Sequence, residues 1–383
     1  MTHDAGGCRL KIGIVKPIRG GIINATASLA LVQRALMCAA LSGSGTFIKC
    51  NERPGEITAT INSLKTQGAK IRYDGMGYQI DPIKLPEAGR GFTAAAAMHG
   101  FAGQNKRGEY WLPGNVAYQS IGGLLFTLPI QSGASKIVVE GRAEYKPYID
   151  MTLDTLEQFG IKVEQEQRND GGTVYKIAGG QVYKTPGTIV VDGDWTNSAF
   201  WLCAAAISGE GVICSEINRY SRQGDKEVVN ILERFGAITA YKGDSVAVRR
   251  SRLRSIRIDA AETPDIIPAL AAVASVTEGK TVIYNAGRVG LYESGMLKKI
   301  TEALTALGAD VTMNTDGLDI QGKLQLRGGT VSSFDDPRII MMTAIAAGVC
   351  EDTVAINNAN AVSNVYPDFF EDFEKLGGVI QMI

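Results

Sequence analysis

An internal repeat constrains the fold of this chain more than any other sequence feature. One recurring signature is a helix of small and apolar residues followed by Gly and a β-branched strand, as in Ser28–Leu36 and Gly45–Ile48. The other is a helix that closes on Leu-x-x-x-Gly-Ala, as in Ile61–Ala69, followed by a short strand. Apolar residues at i, i+3 and i+4 predict one buried face per helix, and Gly ends the helix because it adopts positive φ without steric cost.

The copies predict a chain of strand–helix–strand–helix–strand–strand units. Their spacing is longer than that of a solenoid repeat, and six such units predict two domains of three units each. The first signature recurs at 28–49, 119–140, 198–217, 265–286 and 338–357, with a weak copy at 93–103, and the second at 61–69, 153–160, 229–237, 300–309 and 370–378.

One unit is shorter than the others. The weak copy at 93–103 has no second helix after it, because the next unit already begins at Gly114. The spacing of the other units implies that about 40 residues are absent. Gly-rich or polar junctions at 20–21 and 221–225 are typical of linkers. They predict a lower domain of residues 1–24 plus 222–383 and an upper domain of residues 25–221, with the shortened repeat near 93–114.

Composition excludes several classes of protein. The 383 residues suffice for two globular domains, and the net charge of −1 does not favour a nucleic-acid partner. Apolar runs stay below the roughly 18 residues of a membrane span, and the N-terminal residues lack the pattern of a signal peptide. We therefore expect a cytoplasmic protein without membrane attachment. The oligomeric state stays open.

The sequence contains few residues or motifs that typically bind a metal ion or an organic cofactor. The six cysteines form no C-x-x-C pair, which favours buried free thiols over disulfides or metal ligands. His3 and His99 are the two histidines, too few for a His-based zinc site or a Ser-His-Asp triad. A G-x-x-x-x-G-K-[ST] phosphate loop is absent. We expect neither a metal nor an organic cofactor.

Several short motifs occur in order along nearly the whole chain: Gly21–Asn24 with Ser28 and Gln33–Leu36, Pro113–Gln119, Lys146–Thr152, Gly193–Trp195, Gln223–Asp225, Pro264-Asp265 and Tyr366–Phe370. Together they resemble the 5-enolpyruvylshikimate-3-phosphate (EPSP) synthase family. The resemblance implies the α/β (α+β) two-domain fold of that family, with βαβαββ units around pseudo-threefold axes. It also implies a small-molecule substrate in the cleft between the domains and a reaction that joins phosphoenolpyruvate to shikimate 3-phosphate without a cofactor.

The opening motifs depart from the family pattern where the family holds its phosphorylated substrates. The usual G-S-K-S is Ala27–Ala30 here, so Leu29 stands in the place of a lysine. The usual S-S-Q is Ala117–Gln119, so Tyr118 stands in the place of a serine. The loss of one charge-assisted hydrogen bond to a substrate weakens the binding free energy by about 1.5–3 kcal/mol.

Later motifs depart in the same direction. The usual R-x-K-E-S-D-R is Gly290–Met296 here, with Tyr292 and Met296 in the places of cations. The usual D-H-R is Asp336–Arg338 without its histidine, and Asn364 replaces a lysine. The losses are heaviest on the phosphoenolpyruvate side.

Part of the family's site survives. The resemblance implies proton transfer by Asp265 and assistance at the enolpyruvyl side by Glu293. The surviving residues that it assigns to substrate binding are Ser28, Arg34, Gln119, Lys146, Tyr148 and Arg338.

Each of these residues also has a structural interpretation. Asp265 precedes an apolar helix, where Asp is a common N-cap, and Arg338 has Asp335 and Asp336 beside it. Arg34 lies on an apolar helix and must meet a carboxylate, backbone carbonyls or a ligand, because an unpaired buried charge is costly. Tyr148 is otherwise a core aromatic residue, and Glu293 is otherwise a first-turn carboxylate that favours the helix dipole.

Three functional hypotheses follow. The first is a diverged enzyme in which Asp265 and Glu293 supply acid–base chemistry to a cyclic polyol or cyclohexene carboxylate. The second is an inactive binding, regulatory or assembly protein, in which Leu29, Tyr118, Tyr292 and Met296 fill the cleft. In that case Tyr118, Tyr145 and Tyr292 plug the site instead of lining an aromatic pocket. The third is a working EPSP synthase in which other basic residues replace the lost ones; the candidates are Lys106, Arg107 and Arg142. The retained carboxylates favour the first hypothesis.

Overall fold

The computed structural model describes residues 10–50, 55–84, 108–141, 143, 145–286 and 295–383. The chain divides into two compact units. Unit 1 consists of Met1–Thr26, Gly193–Arg219 and Asp225–Ile383, and unit 2 consists of Ala27–Asp192 and Tyr220–Gly224.

This division differs from the predicted domain boundaries at residues 25–26, 193–219 and 222–224, and the largest difference is the middle segment. The sequence pattern placed Gly193–Arg219 in the upper domain, whereas the segment belongs to unit 1. Its strand Gly211–Ser215 pairs in parallel with Gly20–Asn24, and its helix Trp195–Ile207 is buried in the core of unit 1. Sheet pairing, and not local polarity, decides which domain this segment joins. One passage between the units, from Gly224 to Asp225, does lie within the polar stretch at 221–225.

The described residues form twenty strands. In chain order they are β1 (Ile12–Lys16), β2 (Gly20–Asn24), β3 (Thr46–Lys49), β4 (Lys70–Tyr73), β5 (Gly77–Asp81), β6 (Glu109–Pro113), β7 (Ser135–Glu140), β8 (Val163–Gln167), β9 (Thr173–Ile177), β10 (Thr188–Val190), β11 (Gly211–Ser215), β12 (Ile238–Lys242), β13 (Ser245–Arg249), β14 (Arg257–Asp259), β15 (Lys280–Tyr284), β16 (Asp310–Met313), β17 (Leu318–Gln321), β18 (Gly329–Ser332), β19 (Val354–Asn357) and β20 (Val379–Met382).

The same residues form ten α-helices. They are α1 (Leu29–Leu41), α2 (Gly55–Thr66), α3 (Tyr118–Thr127), α4 (Lys146–Gln158), α5 (Trp195–Ile207), α6 (Val228–Phe235), α7 (Ile267–Ala274), α8 (Met296–Ala306), α9 (Pro337–Ala346) and α10 (Phe369–Lys375).

The strands form five four-stranded sheets built on one plan. Unit 1 contains the sheets β12-β13-β11-β2, β14-β15-β17-β16 and β18-β19-β1-β20, and unit 2 contains β10-β3-β5-β4 and β6-β7-β9-β8. In every sheet two neighbouring strands run parallel, and the other two strands pair antiparallel. In two sheets the parallel partner comes from a distant part of the chain, because β2 pairs with β11 and β10 pairs with β3. The βαβαββ prediction is therefore confirmed for five units. The predicted weak copy at 93–103 lies outside the described residues.

The two helices of each repeat differ in character. The first helices are apolar on nearly all sides, as α5 shows, because they lie inside the unit. The second helices are amphipathic, and α6 buries one face through Val228, Ile231 and Phe235. A separate hydrophobic core fills each unit. Within the described ranges, no helix has the length and apolar character needed to cross a membrane.

Candidate functional site

The first helices of unit 1 bring three aspartates together. Asp194 caps α5 and Asp336 caps α9, each accepting a backbone N–H of its own first turn. Asp265 lies in the 3₁₀ turn Pro264–Ile266 that leads into α7. Because α5, α7 and α9 pack against one another in unit 1, these three aspartates lie at neighbouring helix starts. With Asp225, described below, they make up the aspartate cluster.

Arg338 is the central cation of this cluster. Its Nη1 lies 2.8 Å from Asp265 Oδ1, and its Nε and Nη2 each lie 3.3 Å from an oxygen of Asp336. Lys299 Nζ adds a contact of 3.2 Å to Asp336. Burial by itself raises the pKa of Asp336, but the charges and hydrogen bonds of Arg338 and Lys299 outweigh it and hold the pKa below its usual value.

Asp265 does not cap a helix through its side chain. The residue at the N-cap of α7 is Ile266, and no side-chain hydrogen bond caps that helix. The Asp265 side chain is 22% exposed and meets the Arg338 guanidinium, which is 21% exposed. A partly accessible carboxylate held by a cation is positioned to exchange a proton with a bound molecule.

Asp225 is the fourth member of the cluster, and it is not among the site residues predicted from the sequence. It lies in the 3₁₀ turn Gly224–Glu227, is 5% exposed, and accepts a hydrogen bond of 2.5 Å from Thr196 Oγ1. Burial, followed by the neighbouring Asp265 carboxylate, raises the pKa of Asp225 well above its usual value. The sequence signal for this residue is the Gln223–Asp225 motif, which contributes to the family resemblance without indicating a role for Asp225.

We expect Asp225→Asn to stabilise the protein by about 1 kcal/mol at pH 7, because it removes an ionisable group from a buried site. The folded protein holds the Asp225 proton more tightly than the unfolded chain does. The free energy of unfolding of the wild type therefore falls as pH rises above the unfolded-state pKa of Asp225. The extra stability of Asp225→Asn relative to wild type should vanish below about pH 4. Urea unfolding at both pH values measures the difference.

The matched control is Asp154→Asn, which removes an exposed ion pair with Arg222. It should change the free energy of unfolding by less than about 1 kcal/mol at either pH. A destabilised Asp225→Asn at pH 7 would show that the Asp225 carboxylate is ionised and stabilising in the folded protein.

Arg34 is held inside unit 2 by protein acceptors. Its Nη1 donates to Ala30 O at 2.7 Å, its Nη2 to Tyr148 O at 2.8 Å and its Nε to Thr152 Oγ1 at 2.9 Å. The side chain is 3% exposed and joins α1 to α4. The sequence left a carboxylate, backbone carbonyls or a ligand as partners of Arg34. In the structure its partners include two backbone carbonyls and, in addition, a threonine hydroxyl.

Three tyrosines at the starts of α3 and α4 form a tyrosine triad. The ring of Tyr118 stacks on Tyr148 with centroids 4.5 Å apart, and Tyr145 meets both rings edge-on. Tyr145 holds a left-handed backbone conformation with φ of 55°, which costs about 1–2 kcal/mol for a residue with a β-carbon. Tyr118 stands in the place of a family serine, and Tyr148 is assigned to substrate binding by the family resemblance. The two rings are therefore packed against each other.

The other predicted residues of unit 2 lie at helix starts. Ser28 is buried before α1 without capping that helix through its hydroxyl, and Gln119 is half-buried in the first turn of α3. Lys146 begins α4 and forms an ion pair of 2.6 Å with Asp150. The lysine that the resemblance assigned to substrate therefore has a carboxylate one helical turn away.

Several predicted positions fall outside the described residues. They are Glu293, Tyr292, Lys106, Arg107 and Arg142.

Of the residues that replace family cations, Leu29 packs against the core of unit 2, Met296 is buried in the core of unit 1, and Asn364 is exposed. Across the described ranges, no group of three or more His, Cys, Asp or Glu side chains is arranged to hold a metal ion.

Comparison with known families gives a direct match. Residues 90–373 match the model of the EPSP synthase (3-phosphoshikimate 1-carboxyvinyltransferase) family. The chain belongs to the EPSP synthase family. A curated 3-phosphoshikimate 1-carboxyvinyltransferase of Clostridium novyi is 40% identical over 278 residues, which are 73% of this chain and 62% of that one. This chain thus matches less than two thirds of the C. novyi protein.

Longer matches and solved structures agree with this assignment. The Clostridium perfringens protein of the same name is 33% identical over 94% of this chain and 97% of its own. EPSP synthase from Acinetobacter baumannii superimposes with a TM-score of 0.78 at 18% identity, covering 98% of this chain and 100% of that one. The enolpyruvyl transferase NikO from Streptomyces tendae gives 0.74 at 16% identity, covering 98% of each chain. These structures confirm the predicted two-domain α/β fold.

Proposed function

We propose that this protein is a diverged enzyme of the EPSP synthase family that acts on a cyclic polyol or cyclohexene carboxylate. One observation carries the proposal: the three surviving cations of the predicted site are all engaged by the protein. Arg34 bonds three protein acceptors, Lys146 pairs with Asp150, and Arg338 pairs with Asp265 and Asp336. A phosphorylated substrate needs fixed donors that are available to it.

The environment in unit 2 favours a less charged ligand. The half-buried tyrosine triad lies at the starts of α3 and α4, and Gln119 adds an amide on α3. Such groups bind rings and hydroxyls well and bind a phosphate dianion poorly.

The aspartate cluster in unit 1 supplies the chemistry. Asp265 is partly accessible, and its carboxyl group is held by Arg338 at 2.8 Å where a bound molecule can reach it. Asp225 stands near it as a second carboxyl group whose raised pKa favours the protonated form. Two neighbouring carboxyl groups in different environments are a common arrangement for proton transfer.

The standard carboxyvinyl transfer is a second candidate. The identity of 33–40% to curated 3-phosphoshikimate 1-carboxyvinyltransferases supports it. An inactive binding protein is a third candidate, which the close stacking of Tyr118 on Tyr148 supports.

A thermal-shift titration separates the three candidates. The ligands are shikimate 3-phosphate, phosphoenolpyruvate, shikimate and a panel of unphosphorylated cyclic polyols. A specific ligand at about 100 times its Kd adds about 2.7 kcal/mol to the free energy of unfolding, which raises the Tm by several degrees. We expect a rise with an unphosphorylated ring compound and none with shikimate 3-phosphate plus phosphoenolpyruvate.

Other outcomes overturn the proposal in defined ways. A rise with the two phosphorylated compounds supports the standard activity, and no rise with any compound supports the binding protein. Gln119→Leu should weaken the response to a ligand bound beside the tyrosine triad, because it removes the amide on α3. Lys136→Met removes an exposed ion pair with Glu109 and is the matched control that should leave the response unchanged.

A further inference from the structure

One sheet of unit 1 has an apolar outer face. In the sheet β12-β13-β11-β2, Val212 and Cys214 point into the core, and the residue between them points outward. Three isoleucines on this face are well exposed: Ile22 by 67%, Ile213 by 38% and Ile238 by 44%. They line a groove of about 560 Å³ whose floor includes Gly20 and Gly211. We call this surface the apolar sheet face.

The other four sheets provide an internal comparison. The strand register aligns Ile22, Ile213, Ala247 and Ala240 in one row across the apolar sheet face, without a polar side chain. The corresponding row of every other sheet includes a polar or charged residue. These residues are Arg72, Glu166, Asp319 and Gln381. All five sheets share one plan, and the other four have a polar or charged residue in this row. Exposure to solvent alone therefore does not explain why this row is apolar.

The apolar sheet face is complementary to itself. Its middle row has large residues on β2 and β11 (Ile22, Ile213) and small ones on β13 and β12 (Ala247, Ala240). A twofold axis parallel to the strands, between β11 and β13, places each Ile opposite an Ala of a second copy. The row above it has the reverse order, with Gly20 and Gly211 on one side and Arg249 and Ile238 on the other.

Two charged residues, Glu210 and Arg249, are placed so that the same twofold axis pairs them between copies. Glu210 immediately precedes β11, and Arg249 ends the neighbouring strand β13. Both line the groove. The twofold axis places Arg249 of one copy opposite Gly211 and the adjoining Glu210 of the other. Two ion pairs result, and each copy contributes Glu210 to one and Arg249 to the other.

We propose that the apolar sheet face binds the same face of a second copy of this chain, forming a twofold-symmetric dimer. Face-to-face sheets pack about 10 Å apart, and alternating large and small residues fill that space. An isologous interface needs a self-complementary surface, which both the side-chain sizes and the Glu210–Arg249 pair provide.

Analytical ultracentrifugation of the full chain between about 1 and 100 µM tests the proposal. The wild-type protein should sediment as a dimer in the upper part of this range. Ile213→Glu should weaken dimerisation about tenfold or more, because it places a charge in the centre of the interface. Val190→Glu alters an exposed valine on a sheet of unit 2 and should leave dimerisation unchanged. A monomeric wild type, or an Ile213→Glu variant that still dimerises fully, overturns the proposal.

A charge exchange keeps the test valid if Ile213→Glu fails to fold. Glu210→Arg places like charges opposite each other and should weaken the dimer, and Glu210→Arg with Arg249→Glu should restore it. Both positions are exposed, so folding should be retained in each variant. An equal effect of the single and double variants would show that the two residues do not face each other across the interface.

Discussion

Arg34→Ala is expected to lower the free energy of unfolding by about 3–4 kcal/mol. The substitution removes hydrogen bonds to Ala30 O, Tyr148 O and Thr152 Oγ1 and leaves a cavity between α1 and α4. Hydrogen bonds to charged groups contribute about 1.5–3 kcal/mol each, and buried acceptors that lose a donor add a desolvation cost. Urea unfolding measures the total loss, and hydrogen-exchange mass spectrometry of peptides from α1 and α4 locates it in unit 2.

Arg72→Ala is the matched control for this variant. It removes an exposed ion pair with Asp81 in the same unit and should cost less than about 1 kcal/mol. If Arg34→Ala costs as little as the control, then Arg34 serves a bound ligand rather than the packing of unit 2. This experiment decides between the two roles that the sequence left open for Arg34.

Arg338→Met is expected to destabilise unit 1 by about 3 kcal/mol or more at pH 7. It leaves Asp265 and Asp336 without their shared cation while it preserves most of the side-chain volume. The pKa of Asp336 is lowered in the folded protein, so the stability from its ion pairs is present above the unfolded-state pKa. That stability is lost as pH falls through the folded-state pKa.

The difference between Arg338→Met and wild type should therefore shrink toward acid pH. Urea unfolding at pH 7 and near pH 3 measures this trend, and adding Asp336→Asn to Arg338→Met should recover part of the loss at pH 7. Arg252→Met, which removes an exposed ion pair with Glu278, should show neither effect. A pH-independent loss in Arg338→Met would assign its cost to packing and not to charge.

The repeat explains why the fold was predictable from the chain alone. Helix periodicity, a Gly after each second helix and β-branched strands are local patterns, and they recur often enough to identify the βαβαββ unit five times. The family motifs then placed the units in order. The exception was 193–219, because pairing of Gly211–Ser215 with Gly20–Asn24 joins residues that lie far apart in the chain.

The candidate site was only partly predictable. Arg338, Asp265 and Asp336 come from separate repeats, and the sequence suggested one of these contacts, between Arg338 and its near neighbour Asp336. Asp225 was not selected, because its burial and its bond to Thr196 depend on how the 3₁₀ turn packs against α5. Arg34 was recognised as needing acceptors, but their identity required α4 to lie beside α1.

The sequence therefore specified the repeat, the fold class, the family and the loss of cationic residues from the family motifs, because each of these is written in residue type and local order. Contacts between distant segments required the folded chain. These include the membership of 193–219 in unit 1, the partners of Arg34, the position of Asp225 beside Asp265, and the alignment of Ile22, Ile213, Ala247 and Ala240 on one sheet face. Strand register and helix packing set those contacts, and neither is encoded by the residues of one segment alone.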